Sequence, residues 1–487
     1  MPRLKILFVA SECVPFAKTG GLADVVGALP AALAARGHDV RVVLPRYRVT
    51  MGRPAERLLP PLRVPMGGAE SWGAVWDAAL PKPPGAAAPP ARVYLLENNV
   101  LFDRGGIYND ANGDFGDNLA RFTFLSRGAL ELCALTDFVP DVLHAHDWPA
   151  ALVPVYVNTL YAGTPLGRTA TVLTIHNMGY QGWFDKEELP TTGLGWDVFH
   201  AQGLEAFDRL NLLKGGIYHS TIVSTVSPRY ATEIQTAAGG EGLDGVLRDR
   251  GADVIGVLNG IDDVVWDPGS DLHIAAHFSA DDLTGKASCK RALQREMGLP
   301  ERADVPLLGI VTRLVQQKGI DLLTAALPLL AELDVQVVAL GSGDAWAEGV
   351  LSTLSRTTSW LRAYVGFNEP LSHRIEAGAD LFLMPSRYEP CGLNQLYSQR
   401  YGTLPIVRAV GGLDDTVEHN TTGFKFAEMD VDAFVQTVAW AVHTYRREHH
   451  RFAAMQQAAM RKHVGWDHAA RQYEALYRMA VARRRGR

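Results

Sequence analysis

Short apolar runs recur along the chain, separated by longer stretches in which apolar positions return every three or four residues. Residues 4–10, 40–44, 141–146, 171–175 and 221–226 form one series of such runs, and 254–258, 307–311, 335–340, 379–384 and 404–407 form a second. Runs that are apolar throughout, rather than alternating, suit strands of a parallel sheet covered on both faces, and the segments between them suit crossover helices. In the first of these helices Leu22, Val25, Val26, Leu29 and Leu33 make one stripe at helical spacing. Pro30 lies within it and predicts a kink or an early end, because proline brings no N–H to the helix ladder. Residues 52–91 break the rhythm, and 81–91 (PKPPGAAAPPA) are low in complexity, which predicts an exposed loop inside the first domain. Residues 467–485 read as a long helix with Ala470, Tyr473, Leu476 and Tyr477 on one side.

A chain of 487 residues exceeds what one hydrophobic core usually supports, so two domains are expected. The fold class is α/β, with two doubly wound, Rossmann-like domains. The boundary falls near residues 256–269, after the run 254–258 and its Asn259-Gly260 turn, giving 1–258 and 259–465. Ligands of such sheets bind beyond the carboxyl ends of the strands, at topological switch points. Two such edges facing each other make a cleft that can close around a substrate.

Composition narrows the picture by exclusion. Apolar residues make up 47% and charged residues 21%, as in an ordinary globular enzyme. A formal charge of -6 offers no general attraction for nucleic acid or an anionic membrane, so any phosphate site must be local. Arg483, Arg484, Arg485 and Arg487 read as a solvated helix end that suits the helix dipole. The first ten residues lack the apolar length and cleavage site of a signal peptide, and no stretch has the roughly 18 apolar residues of a membrane span. Cys13, Cys133, Cys289 and Cys391 fit no metal-ligand spacing and read as reduced thiols of a cytoplasmic protein.

Three segments at strand ends carry candidate chemistry. Lys18 precedes Gly20-Gly21 and a helix start, which fits a tight structural turn and equally a turn whose backbone N–H groups and lysine meet an anion. It is neither a Walker A motif nor a Gly-x-Gly-x-x-Gly fingerprint. Arg313 and Lys318 follow the run 307–311; they read as a solvated basic pair or as two cations that stabilise a departing diphosphate. Glu389 lies in Ser386-Arg387-Tyr388-Glu389-Pro390-Cys391-Gly392-Leu393 after the run 379–384. It reads as a solvated loop glutamate or as a partner for sugar hydroxyls, with the amides of Cys391, Gly392 and Leu393 able to meet phosphate or sugar oxygens. His144-Ala145-His146 suggests a zinc pair, but no coherent set of further ligands follows it. Asp430-Val431-Asp432, the one Asp-x-Asp, precedes an apolar helical pattern and reads as a helix cap.

Taken in order, these blocks resemble the bacterial glycogen synthases and plant starch synthases. The residues that carry the resemblance are Lys18 to Val25 (KTGGLADV), His144 to Trp148 (HAHDW), and Thr174 to Asn177 (TIHN) with Gln181-Gly182. They continue with Arg313, Lys318-Gly319, Arg387 to Tyr397 (RYEPCGLNQLY) and Gly411 to Val417 (GGLDDTV). The resemblance covers roughly residues 4 to 480. It implies the GT-B arrangement, with two Rossmann-like domains facing across a cleft and the terminal helix, 466–487, crossing back onto the first. It implies retaining α-1,4-glucosyl transfer from ADP-glucose to a glucan, with no cofactor and no metal. By that likeness His176, Arg313, Lys318 and Glu389 are the catalytic set. Lys18, Gly20, Gly21, Asp24, Asp147, Asn177, Asn259, Cys391, Gly392, Leu393 and Thr416 are expected to bind substrate. Phe367 falls where the family places an aromatic ring against the base; by pattern alone it is a core phenylalanine.

Many retaining GT-B enzymes carry a second glutamate eight positions after the first. Here that position is Tyr397, as in the bacterial synthases, which weakens any scheme built on two carboxylates. The expectation is same-face attack, with neutral His176 positioning glucose and a titratable His176 as the alternative. Two rivals remain: a glucan-binding protein that lost catalysis, and a sucrose- or trehalose-type transferase with a small acceptor.

Overall fold

The computed structural model describes residues 2–82 and 88–486. The chain divides into two compact units. One holds the residues up to Val226, Ala231–Gly260 and the segment from Trp466 onward; the other holds Ser227–Tyr230 and Ile261–Gly465.

The first unit is built on nine strands: β1 Lys5–Val9, β2 Asp39–Pro45, β3 Glu56–Met66, β4 Ala69–Ala79, β5 Arg92–Glu97, β6 Val142–His146, β7 Ala170–Ile175, β8 Ile222–Thr225 and β9 Val254–Gly256. Their order across the sheet is β9-β8-β7-β6-β1-β2-β5-β4-β3. All neighbours are parallel except β3–β4 and β4–β5. The chain leaves β1 for β2 on one side and later lays β6 on the other. The loops after β1 and β6 therefore diverge at a switch point, where a doubly wound sheet leaves a crevice.

The second unit has six strands, all parallel: β10 Leu307–Val311, β11 Gln336–Gly341, β12 Leu361–Val365, β13 Leu381–Met384, β14 Leu404–Arg408 and β15 Phe424–Phe426. Their order is β12-β11-β10-β13-β14-β15, so the switch point lies between β10 and β13. A buried core of Ile310, Leu323, Leu327, Val337, Leu383 and Ile406 fixes this sheet. The short segment Ser227–Tyr230 is tied to the same unit: Ser227 Oγ donates to the Pro390 carbonyl at 2.7 Å.

Three expectations need correction. Residues 52–91 are not one exposed loop, because β3 and β4 form a hairpin on the sheet edge. Its two-residue turn is Gly67-Gly68, with φ of +55° and +78°, the left-handed pair that a tight hairpin requires. Residues 83–87 of the low-complexity stretch lie outside the described residues. The first helix does not end early at Pro30; it runs Gly21–Ala35. The proline leaves the Val26 carbonyl without its helical donor, and the buried Cys13 thiol donates to that oxygen at 3.4 Å.

The C-terminal arginines are also less solvated than expected. Arg485 pairs with Asp141 at 2.9 Å, Arg483 pairs with Asp253, and Arg484 donates to Asn158 and to the Gly167 carbonyl. Arg487 lies outside the described residues. The helix Trp466–Arg484 buries Ala470, Tyr473, Leu476 and Tyr477 in the first unit. Arg36 bridges Asp467 and Glu474 at 2.9 and 2.7 Å, which anchors that helix to the end of the first one. Asp430 caps the helix Val431–Arg447 by accepting from Ala433 N at 2.8 Å, as its position before an apolar pattern predicts.

Candidate active site

In the first unit, the loop after β1 is organised by a residue that its motif does not contain. The carboxylate of Glu12, which is buried, accepts from Thr19 N at 2.5 Å, Thr19 Oγ1 at 2.7 Å and Gly20 N at 2.9 Å. Tyr108 adds a fourth donor at 2.7 Å. Two amides of this turn, those of Thr19 and Gly20, are thus used by the chain's own carboxylate. Lys18 is exposed beside them and pairs with Asp24 at 2.7 Å.

Neither Gly20 nor Gly21 has a positive φ, and a Cβ at either would meet nothing within 4 Å. The protein's own packing does not require glycine there. Open space over bare backbone is what close approach of a ligand needs.

Two histidines of β6, His144 and His146, and His176, just past β7, stand in file. His144 engages Tyr477 Oη through Nδ1 at 2.8 Å and Thr174 Oγ1 through Nε2 at 2.6 Å. Nδ1 of His146 lies 3.0 Å from Nε2 of His176. Burial lowers the pKa of all three, that of His176 to about 3, so each ring is neutral at physiological pH. Asp147 takes the left-handed conformation, φ +53°, and accepts from His176 N at 2.7 Å. Its carboxyl is pushed up to about 7 by burial, against the lowering effect of the His176 and Asn177 amides. Asn177 is half-buried, and its side chain accepts from Gly179 N at 2.9 Å. Trp148 packs edge-on to Phe122, and its ring occupies the space a Cβ on Gly182 would need. Asn259, past β9, is buried, and its Oδ1 has no hydrogen-bond partner among the described residues.

The second unit brings its candidates to the β10–β13 switch point. Lys318 Nζ donates to Glu389 Oε2 at 2.5 Å, and Ser386 Oγ donates to the same oxygen at 3.1 Å. Glu389 is therefore a buried, paired carboxylate rather than a solvated loop residue. Arg313 is exposed on the same loop as Lys318 and donates to Gln317 at 3.2 Å.

Glycines make this geometry possible. Gly319 has φ +69°, and a Cβ there would lie 1.9 Å from the Pro385 carbonyl oxygen. Gly411 has φ +44°, and a Cβ there would lie 2.0 Å from the Glu389 carbonyl oxygen. The Glu389 carbonyl also accepts from Gly412 N at 3.0 Å. Gly392 turns the chain at φ +71°, so that Cys391, Gly392 and Leu393 lead into the helix Asn394–Arg400. Gln395 Nε2 donates to the carbonyls of Cys391 and Gly392 and to Thr416 Oγ1. Thr416 is buried, and its hydroxyl donates to the Gly412 carbonyl, so it braces this turn from within. Phe367, just past the edge strand β12, is 86% exposed, which rules out the core reading. Tyr397 stacks on Trp266 at 3.9 Å, and Trp266 stacks in turn on His373 at 3.8 Å.

Residues 5–249 match the family described as Starch synthase catalytic domain, and 296–458 match Glycosyl transferases group 1. Glycogen synthase 1 of Geobacter sulfurreducens is 53% identical over 498 residues, covering 100% of this chain and 98% of that one. The chain belongs to the glycogen and starch synthase family. Among solved structures, the catalytic domain of starch synthase IV from Arabidopsis thaliana, bound to ADP and acarbose, superposes with a TM-score of 0.90 at 34% identity. That match covers 99% of this chain and 100% of the other. Sucrose-phosphate synthase from Thermosynechococcus elongatus shares the fold alone, with a TM-score of 0.62 at 17% identity over 99% and 100% of the two chains.

The protein is thus a glycosyltransferase of the GT-B type. For a glycogen or starch synthase the motif residues are easily found; those that hold them are not. Glu12, Tyr108, Ser386 and Gln395 escaped the sequence reading, although Ser386 and Gln395 lie inside or beside the Glu389 block. Among the described residues, no group of three or more His, Cys, Asp or Glu can hold a metal ion. The zinc reading of His144 fails for a specific reason, since both its ring nitrogens are engaged within the protein. No helix among the described residues is long and apolar enough to cross a membrane.

Proposed function

We propose that the protein is a cytoplasmic glycogen synthase that moves glucose from ADP-glucose to the non-reducing 4-OH of an α-1,4-glucan, with retention and without a metal ion. The observation that carries this reading is the Lys318–Glu389 pair, 2.5 Å apart where the second sheet switches direction, with Arg313 on the same loop. As the bond from glucose C1 to the diphosphate breaks, negative charge gathers on the leaving phosphate oxygens. Lys318 and Arg313 offset it. The same phosphate oxygen takes the proton of the attacking 4-OH, so the new C1–O bond forms on the face from which ADP departs.

In this reading the second unit binds the donor. Glu389 and the amides of Cys391, Gly392 and Leu393 hold the sugar and diphosphate, Thr416 braces them, and exposed Phe367 meets the base. The first unit serves the acceptor. Lys18, set by Asp24, binds substrate with Gly20 and Gly21, while Asp147, Asn177 and Asn259 line the sugar region. His176, neutral, positions glucose. The Arabidopsis relative bound ADP and acarbose, which supports the pairing of donor and acceptor.

Incubation with ADP-[14C]glucose or UDP-[14C]glucose, with and without glycogen, tests the reading. Label entering precipitable polymer from ADP-glucose, after exhaustive chelation, is the expected result. Label appearing only in a small sugar, or only from UDP-glucose, overturns it.

A further inference from the structure

We infer that His146 holds His176 in the tautomer with its proton on Nδ1, making His146 a positioning residue that turns His176 into a fixed N–H donor. The inference rests on the reading that His176 meets the sugar. Across the 3.0 Å contact between His146 Nδ1 and His176 Nε2, one nitrogen must donate and the other accept. The other nitrogen of His146 decides which. His146 Nε2 is buried and has no hydrogen-bond partner among the described residues. A proton there would be a buried N–H with nothing to accept it, and orphaned buried donors are the rarer defect in folded chains. The proton therefore sits on Nδ1 of His146, and His176 Nε2 accepts it.

The neighbours keep the ring in place without altering this choice. Phe8 stacks on His146 at 5.4 Å and 15°, and His144 lies 4.0 Å away. His144 itself contacts two hydroxyls, which rotate to suit either tautomer, so it imposes no preference of its own. The backbone of His176 is fixed through its amide to Asp147.

The consequence is chemical. With Nε2 already accepting and Nδ1 already protonated, neither nitrogen of His176 can take the proton of the attacking hydroxyl. What His176 offers is Nδ1–H, a neutral donor for a sugar oxygen.

Three variants and one spectrum test this. In asparagine the amide nitrogen falls near the place of Nδ1; in glutamine it falls near Nε2; leucine has neither. Relative to wild type, His146→Asn is expected to retain most of its kcat/KM for ADP-glucose, while His146→Gln and His146→Leu lose about 10–100-fold, as when an orienting partner is removed. Nitrogen-15 NMR of the histidine-labelled wild-type protein, with assignments made by substitution, should place the protons of both His146 and His176 on Nδ1. A proton on Nε2 of wild-type His176, or equal losses in all three variants, overturns the inference. The spectrum decides the tautomer even if the leucine variant does not fold. Failure of the wild-type protein to transfer glucose from ADP-glucose would instead reject the reading beneath.

Discussion

Lys318 Nζ lies 2.5 Å from Glu389 Oε2, so one buried ion pair ties together the two loops that leave the central strands β10 and β13. Lys318→Ala and Glu389→Ala are each expected to lower kcat by at least about a hundredfold, as loss of transition-state charge stabilisation does. The structure adds a cost in stability, because removing the lysine leaves a carboxylate that is only 6% exposed without its cation. Lys318→Ala should therefore lower Tm, and the double variant should melt no lower than Lys318→Ala alone. Coupling of this kind is what a double-mutant cycle measures. Turnover near wild type in either single variant rejects the assigned role.

Gly20 and Gly21 separate folding from function. Because an added methyl group meets nothing within 4 Å and neither φ is positive, Gly20→Ala and Gly21→Ala should leave Tm unchanged or slightly raised. A ligand that passes close over this backbone would meet the new methyl. The expected result is a fall of at least about tenfold in kcat/KM, the scale of one misfitted contact. Unchanged kinetics in both variants would show that nothing binds over the turn.

Glu12 carries the same loop from beneath. Glu12→Ala removes the acceptor for three groups of the loop and for Tyr108, all within 3 Å. Leaving such donors unpaired costs about 1–3 kcal/mol for each that water cannot reach. Glu12→Ala should lower Tm and raise KM for ADP-glucose, and Glu12→Gln should lie between it and wild type. A variant with normal KM and normal Tm would sever the link between Glu12 and the Lys18 loop.

The parallel strands were legible because strands buried on both faces are largely apolar: β10 and β13 are so throughout, β1 after Lys5, and β6 apart from His144 and His146. Of the missed strands, β5 is a buried apolar run that the rule covers and that was passed over after the low-complexity stretch; in the others the rule fails. β3 contains Pro60, Pro61 and Pro65 and lies on an edge, and its sequence hid a hairpin that only Gly67-Gly68 betrays. β12 is half-exposed and β15 spans three residues. In the loops after β10 and β13 the ordered motifs pointed to Lys318 and Glu389, which the structure pairs, whereas the contacts of Glu12 depend on where a neighbouring turn folds back. The early end that Pro30 suggested does not occur, for a related reason: the thiol of Cys13, from another loop, meets the carbonyl that the proline abandons.

Asp147 and the histidines beside it respond to pH in opposite directions. Burial depresses the histidine pKa values, that of His176 from 6.5 to about 3, so the unfolded chain binds more protons than the native one below pH 6.5. Their contribution to stability is complete above that pH and is lost as pH falls toward 3. Asp147 is raised from 3.8 to about 7, so between those values the native state keeps a proton that the unfolded chain releases. Stability therefore declines as pH rises through that window. Asp147→Asn keeps the two acceptor contacts to the His176 and Asn177 amides. It also suits φ +53°, where asparagine is tolerated well. Its Tm should match wild type at pH 4 and exceed it at pH 8, with the gap opening between. A difference that stays constant across that range would show that the Asp147 carboxyl titrates normally in the folded protein.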